Sequence, residues 1–264
     1  MTQQNSSPDV ALFVTCLVDL FRPNVGFSTV KLLEDAGCTV HVPVAQTCCG
    51  QPAWNSGDRA DTKDIAMQVI KNFEGFDYVV LPSGSCAGMM KTHYPELFEG
   101  DDSWHEKASK FSEKVFEITS FLTDVMGVES VEASLPANVT YHDSCAGLRE
   151  LGISGQPRKL LETVKGVNLT EMKDCTTCCG FGGTFSVKYS DISNSIVESK
   201  TANIKDSGAD MMLAGDMGCL LNMAGKLKRE GSTIEVRHVV EVLAGMTDNA
   251  AIGEASPRNR SDKS

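Results

Sequence analysis

The chain has 264 residues, 41% of them apolar and 22% charged, enough to bury one large α/β core or two of ordinary size. Its net charge of −11 argues against nucleic acid as a partner, because a phosphate backbone requires a basic face. No apolar run is long enough to cross a membrane and no basic-then-apolar leader opens the sequence, so a cytoplasmic protein is expected. In such a reducing compartment the 10 cysteines point to ligation or redox chemistry rather than to structural disulfides.

Residues 1–8 are polar and expected to be disordered. VALFVTC then reads as a strand ending at Cys16, followed by a helix from Pro23 to Ala36 that Gly37 closes. TVHVPV predicts a strand leading into Cys48-Cys49-Gly50. A helix near Arg59–Phe73 carries Ile65, Val69, Ile70 and Phe73 on one face, and YVVLPSGSC is a buried strand that stops just before Cys86. Phe111, Val115, Ile118, Leu122 and Val125 have helical spacing, yet VFEITSFLTDVMG parallels IEVRHVVEVLAGM near the end of the chain. The parallel favours a strand over Val115–Ile118 and then a helix. The second half runs NVTYHDSC, a helix from Pro157, the strand VNLTEM, Cys178-Cys179-Gly180, a helix with Ile192 and Ile196, then MMLAGDMGC and a last helix. Residues 247–264 read as a disordered tail.

The cysteines recur. Cys16 to Cys145 is 129 residues, Cys48 to Cys178 and Cys49 to Cys179 are 130, and Cys86 to Cys219 is 133. Only Cys38 and Cys175 lack a twin, so the chain is an internal duplication with halves at 9–130 and 137–246. Alternating strands and helices predict an α/β fold. Two duplicated Rossmann-like three-layer halves, with mainly parallel sheets, are related by pseudo-two-fold symmetry. Loops at the carboxyl ends of parallel strands bind ligands, and in each half the cysteines follow three different strands. Each half thereby gathers one set of four thiols: Cys16, Cys48, Cys49 and Cys86, then Cys145, Cys178, Cys179 and Cys219.

Crowded thiolates repel unless a cation neutralises them. Iron–sulfur clusters and structural zinc both take four. Zinc sites use short C-x₂₋₄-C knuckles, whereas the first set is separated by 31, 0 and 36 residues, which favours a cluster held among loops. Adjacent cysteines on a bent loop reach different irons, and the following glycine permits a positive φ. GFGG at 180–183 offers further N–H groups, and helices starting after Cys16, Cys86 and Cys219 aim their positive ends at an anion. Cys38 reads as a core residue, and Cys175 as an exposed thiol or a fifth ligand of the second set. His142 reads as making a strand-end hydrogen bond, with a place near the second cluster as the alternative. His238 reads as a helix cap or core partner, and Arg149 as a charge-offsetting or solvated residue. His93 and His105 read as surface residues, and Trp54 and Phe181 as shields or packing. No P-loop, GxGxxG or serine–histidine–acid arrangement occurs, so a flavin or nicotinamide site has no support and no catalytic residue is assigned.

The blocks LFVTCLVDLFRPNVG, CCGQPAWNSGD, PSGSCAGM, CCGFGGTFSVK and GDMGCLLN resemble the CCG-domain (cysteine-rich domain) iron–sulfur proteins, and among them those of lactate utilization, from about Ala11 to Leu243. The iron–sulfur subunit of glycolate oxidase and the corresponding subunit of heterodisulfide reductase belong to the same wider family. The resemblance implies a bacterial cytoplasmic subunit of a multisubunit system oxidising L-lactate to pyruvate, which exchanges electrons with other iron–sulfur subunits. It implies a [4Fe–4S] cluster on the eight repeated cysteines, one per half. Zinc in one half, within a metal-stabilised scaffold, is the alternative. The family motif ends each half in C-x-x-C, but here the last positions are Met89 and Asn222. That departure counts against a five-thiol cluster and against heterodisulfide-type thiol–disulfide catalysis, and leaves Met89 as a weak soft ligand or a packing residue.

Overall fold

Short apolar, β-rich runs bounded by turns become eight strands in a computed structural model that describes residues 7–254. They are β1 (Asp9–Leu12), β2 (Thr39–His41), β3 (Tyr78–Leu81), β4 (Val115–Glu117), β5 (Ser134–His142), β6 (Lys165–Leu169), β7 (Met211–Ala214) and β8 (Glu235–His238). They form two four-stranded sheets, ordered β2-β1-β3-β4 and β6-β5-β7-β8, with every pairing parallel. Helices flank both sheets, so the central strands are buried on both faces and read as near-continuous apolar runs, MMLA in β7 being fully buried. The strand order reverses between β1 and β3, and again between β5 and β7. At such a switch point the loops beyond the strand ends diverge and leave a crevice.

The strand at Val115 followed by helix is present, as are helices Pro23–Asp35 and Arg59–Phe73. TVHVPV is ordered as a strand only through His41, and Val44 projects fully into solvent. The tail expected from residue 247 is instead folded through residue 254. Ile252 N–H donates to Val236 O at 2.8 Å, Arg237 Nη1 donates to Asn249 O at 2.8 Å, and Ala251 and Ile252 are buried. Its backbone finds partners along β8, which a polar composition does not reveal. Residues 1–6 and 255–264, also expected to be disordered, lie outside the described residues. Among the described residues no helix is long and apolar enough to cross a membrane.

The halves share one core, in which Val10, Val25 and Leu33 cluster with Met212, Val240 and Leu243. Helix Gly84–Gly88 crosses helix Cys145–Leu151 at backbone distance, and a Cβ on Gly84 would lie 2.9 Å from Gly147 Cα. Polar contacts pin the seam. Arg22 Nε and Asn24 Nδ2 donate to Glu241 Oε1 at 2.9 and 2.8 Å. His238 caps the helix Val239–Leu243, its Nδ1 accepting from Val240 N–H, while Nε2–H donates to Pro82 O of the other half at 3.1 Å. Gly84→Ala is therefore expected to destabilise the fold by about 1–3 kcal/mol through overpacking. A lowered urea midpoint at unchanged slope checks it.

Glu117 ends β4 at this seam, fully enclosed and beside Tyr141 and Gly215. Its Oε2 accepts from Thr119 N–H at 2.8 Å and Thr119 Oγ1 at 2.6 Å, but burial outweighs these bonds and raises its pKa to about 7. A carboxyl with a raised folded pKa contributes stability that is complete below pH 4.5 and is lost as pH climbs to about 7. The loss amounts to about 3 kcal/mol. Glu117→Gln keeps a side-chain acceptor without the charge, so urea titrations from pH 4 to 8 should show this component in the parent protein and not in the variant.

Candidate functional site

Both four-thiol sets form at the carboxyl edges of the sheets. Cys16 opens the helix Cys16–Phe21 beyond β1, Cys48 and Cys49 lie in the turn after β2, and Cys86 sits in helix Gly84–Gly88 after β3. Cys145, Cys178, Cys179 and Cys219 take the matching places after β5, β6 and β7. Gly50 and Gly180 both have φ of 85°. This left-handed turn, open to glycine at little cost, bends the chain so that each glycine N–H meets the sulfur two residues back. Gly50 N–H points to Cys48 Sγ at 3.4 Å and Gly180 N–H to Cys178 Sγ at 3.3 Å. Cys49 Sγ lies 3.3 Å from Cys86 Sγ. The carbonyl of the second cysteine is braced in each half, by Tyr94 Oη on Cys49 O at 2.9 Å and by Asn222 Nδ2 on Cys179 O at 2.9 Å. Asn222 is thus engaged with the backbone, and Met89 is wholly buried in the apolar core of the first half.

Residues 10–91 and 139–224 each match the cysteine-rich domain (CCG) family model. Lactate utilization protein A of Geobacillus sp. strain WCH70 is 49% identical over 234 residues, 89% of this chain and 98% of that protein. Its counterpart in Geobacillus thermodenitrificans strain NG80-2 is 50% identical with the same coverage. The chain belongs to the lactate utilization protein A group of the cysteine-rich domain family. A crystal structure of a hypothetical protein from Helicobacter pylori shares the fold, with a TM-score of 0.65 at 14% identity over 95% of this chain, which spans 50% of that one.

Within this CCG protein the thiols form proton networks. Hydrogen bonds from Cys16 and then Cys49 pull Cys48 well below the usual thiol range, while Cys16 and Cys49, each bonded to Cys48, are pushed up. The second set repeats this around Cys178, lowered by Cys145 and Cys179, with Cys145 and Cys179 raised. Cys219 is also raised: its bond from Cys179 lowers it, but burial and the Asp216 carboxylate together prevail. One proton-poor sulfur per set is where a cation binds first, and the remaining thiols then give up their protons to it.

The surroundings of the two sets differ. A cavity of about 320 Å³ opens on Cys16, Cys48, Cys49 and Cys86, and Phe181 and Met217 from the second half help to wall it. Behind the second set stand Lys200 and His142, both buried. Lys200 Nζ donates to the carbonyls of Asp174 and Cys175, and among the described residues no carboxylate pairs with it. Its charge favours an anionic neighbour, which a thiolate-bound metal centre would be. His142 Nδ1 lies 3.2 Å from Cys175 O, and burial drops its pKa to about 3, so the imidazole is neutral. The expected strand-end hydrogen bond is present, and the ring also stands beside the thiols.

The donor chemistry therefore fits a thiolate-bound metal or iron–sulfur group in each half. Cys38 is packed in the core near Met126, while the half-buried Cys175 spends its carbonyl on His142, Asp143 N–H and Lys200. Trp54 is covered by the Arg59 guanidinium at 3.3 Å and by the His93 ring at 4.9 Å. Tyr94, Asp216 and Lys200 are not expected from the sequence. The signal for Lys200 lies in matching the halves on the neighbours of the two turn glycines: Thr62 and Ile65 pack on Gly50, Ser193 with Ile196 on Gly180, so Lys200 stands where the first half has Val69.

The same glycine neighbours give a test. A Cβ on Gly50 meets nothing closer than 3.4 Å, whereas on Gly180 it would lie 2.7 Å from Ser193 O. Gly50→Ala should cost about 1–2 kcal/mol for the left-handed backbone alone. Gly180→Ala should cost roughly 1–3 kcal/mol more, since the carbonyl it strikes is helical backbone. Thermal midpoints of the two variants check the order.

Proposed function

We propose that the chain is the electron-transfer subunit of a bacterial system oxidising L-lactate to pyruvate, with one [4Fe–4S] cluster in each half. Cys16, Cys48, Cys49 and Cys86 hold the first, and Cys145, Cys178, Cys179 and Cys219 the second. The observation that carries this reading is the duplicated set of four thiols, each built on a left-handed Cys-Cys-Gly turn at the switch point of a parallel sheet. A bound cluster supplies one-electron transfer. The protein's part is to ligate it, to donate glycine N–H groups to its sulfurs and to limit water around it. The substrate comes from the relatives, which are named for lactate utilization. No residue of either set is shaped to read a 2-hydroxy acid, so oxidation of the substrate falls to a partner subunit.

The surface supports such a partner. Leu20, Val42 and Val44 are exposed along a groove that they share with Cys16 and Cys48, and exposed Val187 lines the cavity over the same thiols. Exposed apolar residues gathered at one spot mark interaction surfaces, and this rim surrounds the first centre. Another iron–sulfur subunit docked there would exchange electrons over a short path.

A zinc ion in the second half is the second reading, because a ring nitrogen of His142 and the sulfurs of Cys179 and Cys219 lie within 4.8 Å of one another, compact enough for one tetrahedral ion. Metal and sulfide analysis after anaerobic purification separates the two. Iron and sulfide in both halves are expected, and protein carrying neither would overturn the cluster reading. Cys178→Ser should remove about half of the iron and the EPR signal of one centre, because separate halves supply the ligands. Loss of both signals from a variant that keeps its fold would point to one shared site.

A further inference from the structure

The walls of the two thiol sets differ at several positions, and one of these differences places a nitrogen ring close to the sulfurs. Leu12 pairs with Val80 in the first sheet and Tyr141 with Leu213 in the second, so the residues that follow, Phe13 and His142, are structural twins. Both are completely buried. Phe13 packs on Phe73 with ring centroids 5.5 Å apart, an apolar role that leaves nothing to satisfy. An imidazole in the same place brings two nitrogens that must be accounted for.

One of them is. Nδ1 lies 3.2 Å from the Cys175 carbonyl oxygen, which can only accept, so Nδ1 carries the proton. The loop is bent to present this carbonyl: Asp174 holds φ at 54°, the one non-glycine residue at positive φ among those described. The same oxygen also receives Asp143 N–H at 3.2 Å. Nε2 is then left with a free lone pair, buried and with no hydrogen-bond partner. A ring nitrogen of this residue lies within 4.8 Å of Cys179 Sγ and Cys219 Sγ. Imidazoles that bind metals hold their other N–H on a carbonyl or carboxylate in this manner, which fixes the tautomer and the direction of the lone pair. The alternative donor in this half, Asn222, spends its amide on Cys179 O.

We propose that His142 Nε2 is a ligand of the second metal centre, which is thereby a mixed sulfur–nitrogen site, while the first is held by sulfur alone. This inference rests on the metal-centre reading above, and concerns only which of the chain's own atoms reach the metal. It separates the two centres chemically: the second carries one more neutral donor, and its spectroscopic signature differs from the first.

The test uses the intact chain labelled with ¹⁵N-histidine and purified anaerobically, with iron and sulfide measured on the same sample. Pulsed EPR should show a nitrogen coupling of the strength of a directly bound imidazole in one of the two centres, switching from ¹⁴N to ¹⁵N with the label. His142→Phe, which installs the residue found in the first half, should abolish it and leave the other centre's spectrum unchanged. Because the labelled parent protein alone shows the coupling, the inference stays testable if the variant does not fold. Iron and sulfide present in both halves with no histidine coupling, or only the weak coupling of a hydrogen bond, would overturn the ligand assignment and leave the cluster reading standing. If no iron or sulfide is found, the cluster reading fails and cobalt(II) alone becomes the probe. A ligand-field spectrum that His142→Phe shifts supports nitrogen ligation, and one that it leaves unchanged overturns it.

Discussion

Four sulfurs meet at one point in each half because two of them are neighbours in the chain and the residue after them turns back. A strand end delivers one side chain to the rim of a sheet, so three strand ends deliver three. The fourth thiol comes from the left-handed glycine, whose N–H at the same time faces the first sulfur of the pair, at 3.4 Å for Gly50 and 3.3 Å for Gly180. Gathering them has a consequence. Two thiolates about 4 Å apart repel by about 4 kcal/mol at an effective dielectric of 20, and a set of four contains several such pairs. That exceeds what a fold of marginal stability can carry. The set must therefore keep most of its protons or surrender them to a cation, and the shared protons around Cys48 and Cys178 are the first of those two states.

The fold follows from the same demand. The sheet order places β1 and β3 side by side across the switch point, and the helices that follow these strands carry Cys16 and Cys86. The Cys-Cys-Gly turn then arrives from β2 at the outer side of β1. In the second half β5, β7 and β6 repeat the arrangement. The brace on the turn is not repeated in kind: a tyrosine hydroxyl from beyond the Cys86 helix serves one half and an asparagine amide the other. The two halves make the same hydrogen bond from different positions, since the twin of Asn222 is Met89 and not Tyr94.

That divergence explains what the amino-acid sequence made legible. The constant spacing of the eight cysteines, the β-rich runs before them and the glycine after each pair are local or periodic, and they announced two parallel sheets with a thiol set on each. The parallel between VFEITSFLTDVMG and IEVRHVVEVLAGM likewise overrode a misleading helical spacing, and Val115–Glu117 is a strand. What stayed hidden depends on contacts between distant residues. Asn249 and Ile252 are ordered by Arg237 and Val236, which no polar tail advertises. Gly84 and Gly147 look like ordinary loop glycines until two helices cross upon them. Tyr94 lies too far from any motif to suggest a hydrogen bond to Cys49.

The differences between the halves carry the remaining argument. Around the first set the walls are apolar or open: Phe13 lies where the second half has His142, and a cavity and an exposed rim lead to the sulfurs. Behind the second set sits the buried Lys200, with no carboxylate partner among the described residues. A fixed positive charge in a poorly solvated site stabilises whichever state of its neighbour is more negative. On the proposed reading Lys200 favours the reduced centre, while the buried Asp216 carboxylate, which acts more strongly on Cys219, opposes it. Phe181, two residues beyond the second Cys-Cys pair, walls the cavity over the first set and so ties the two environments together.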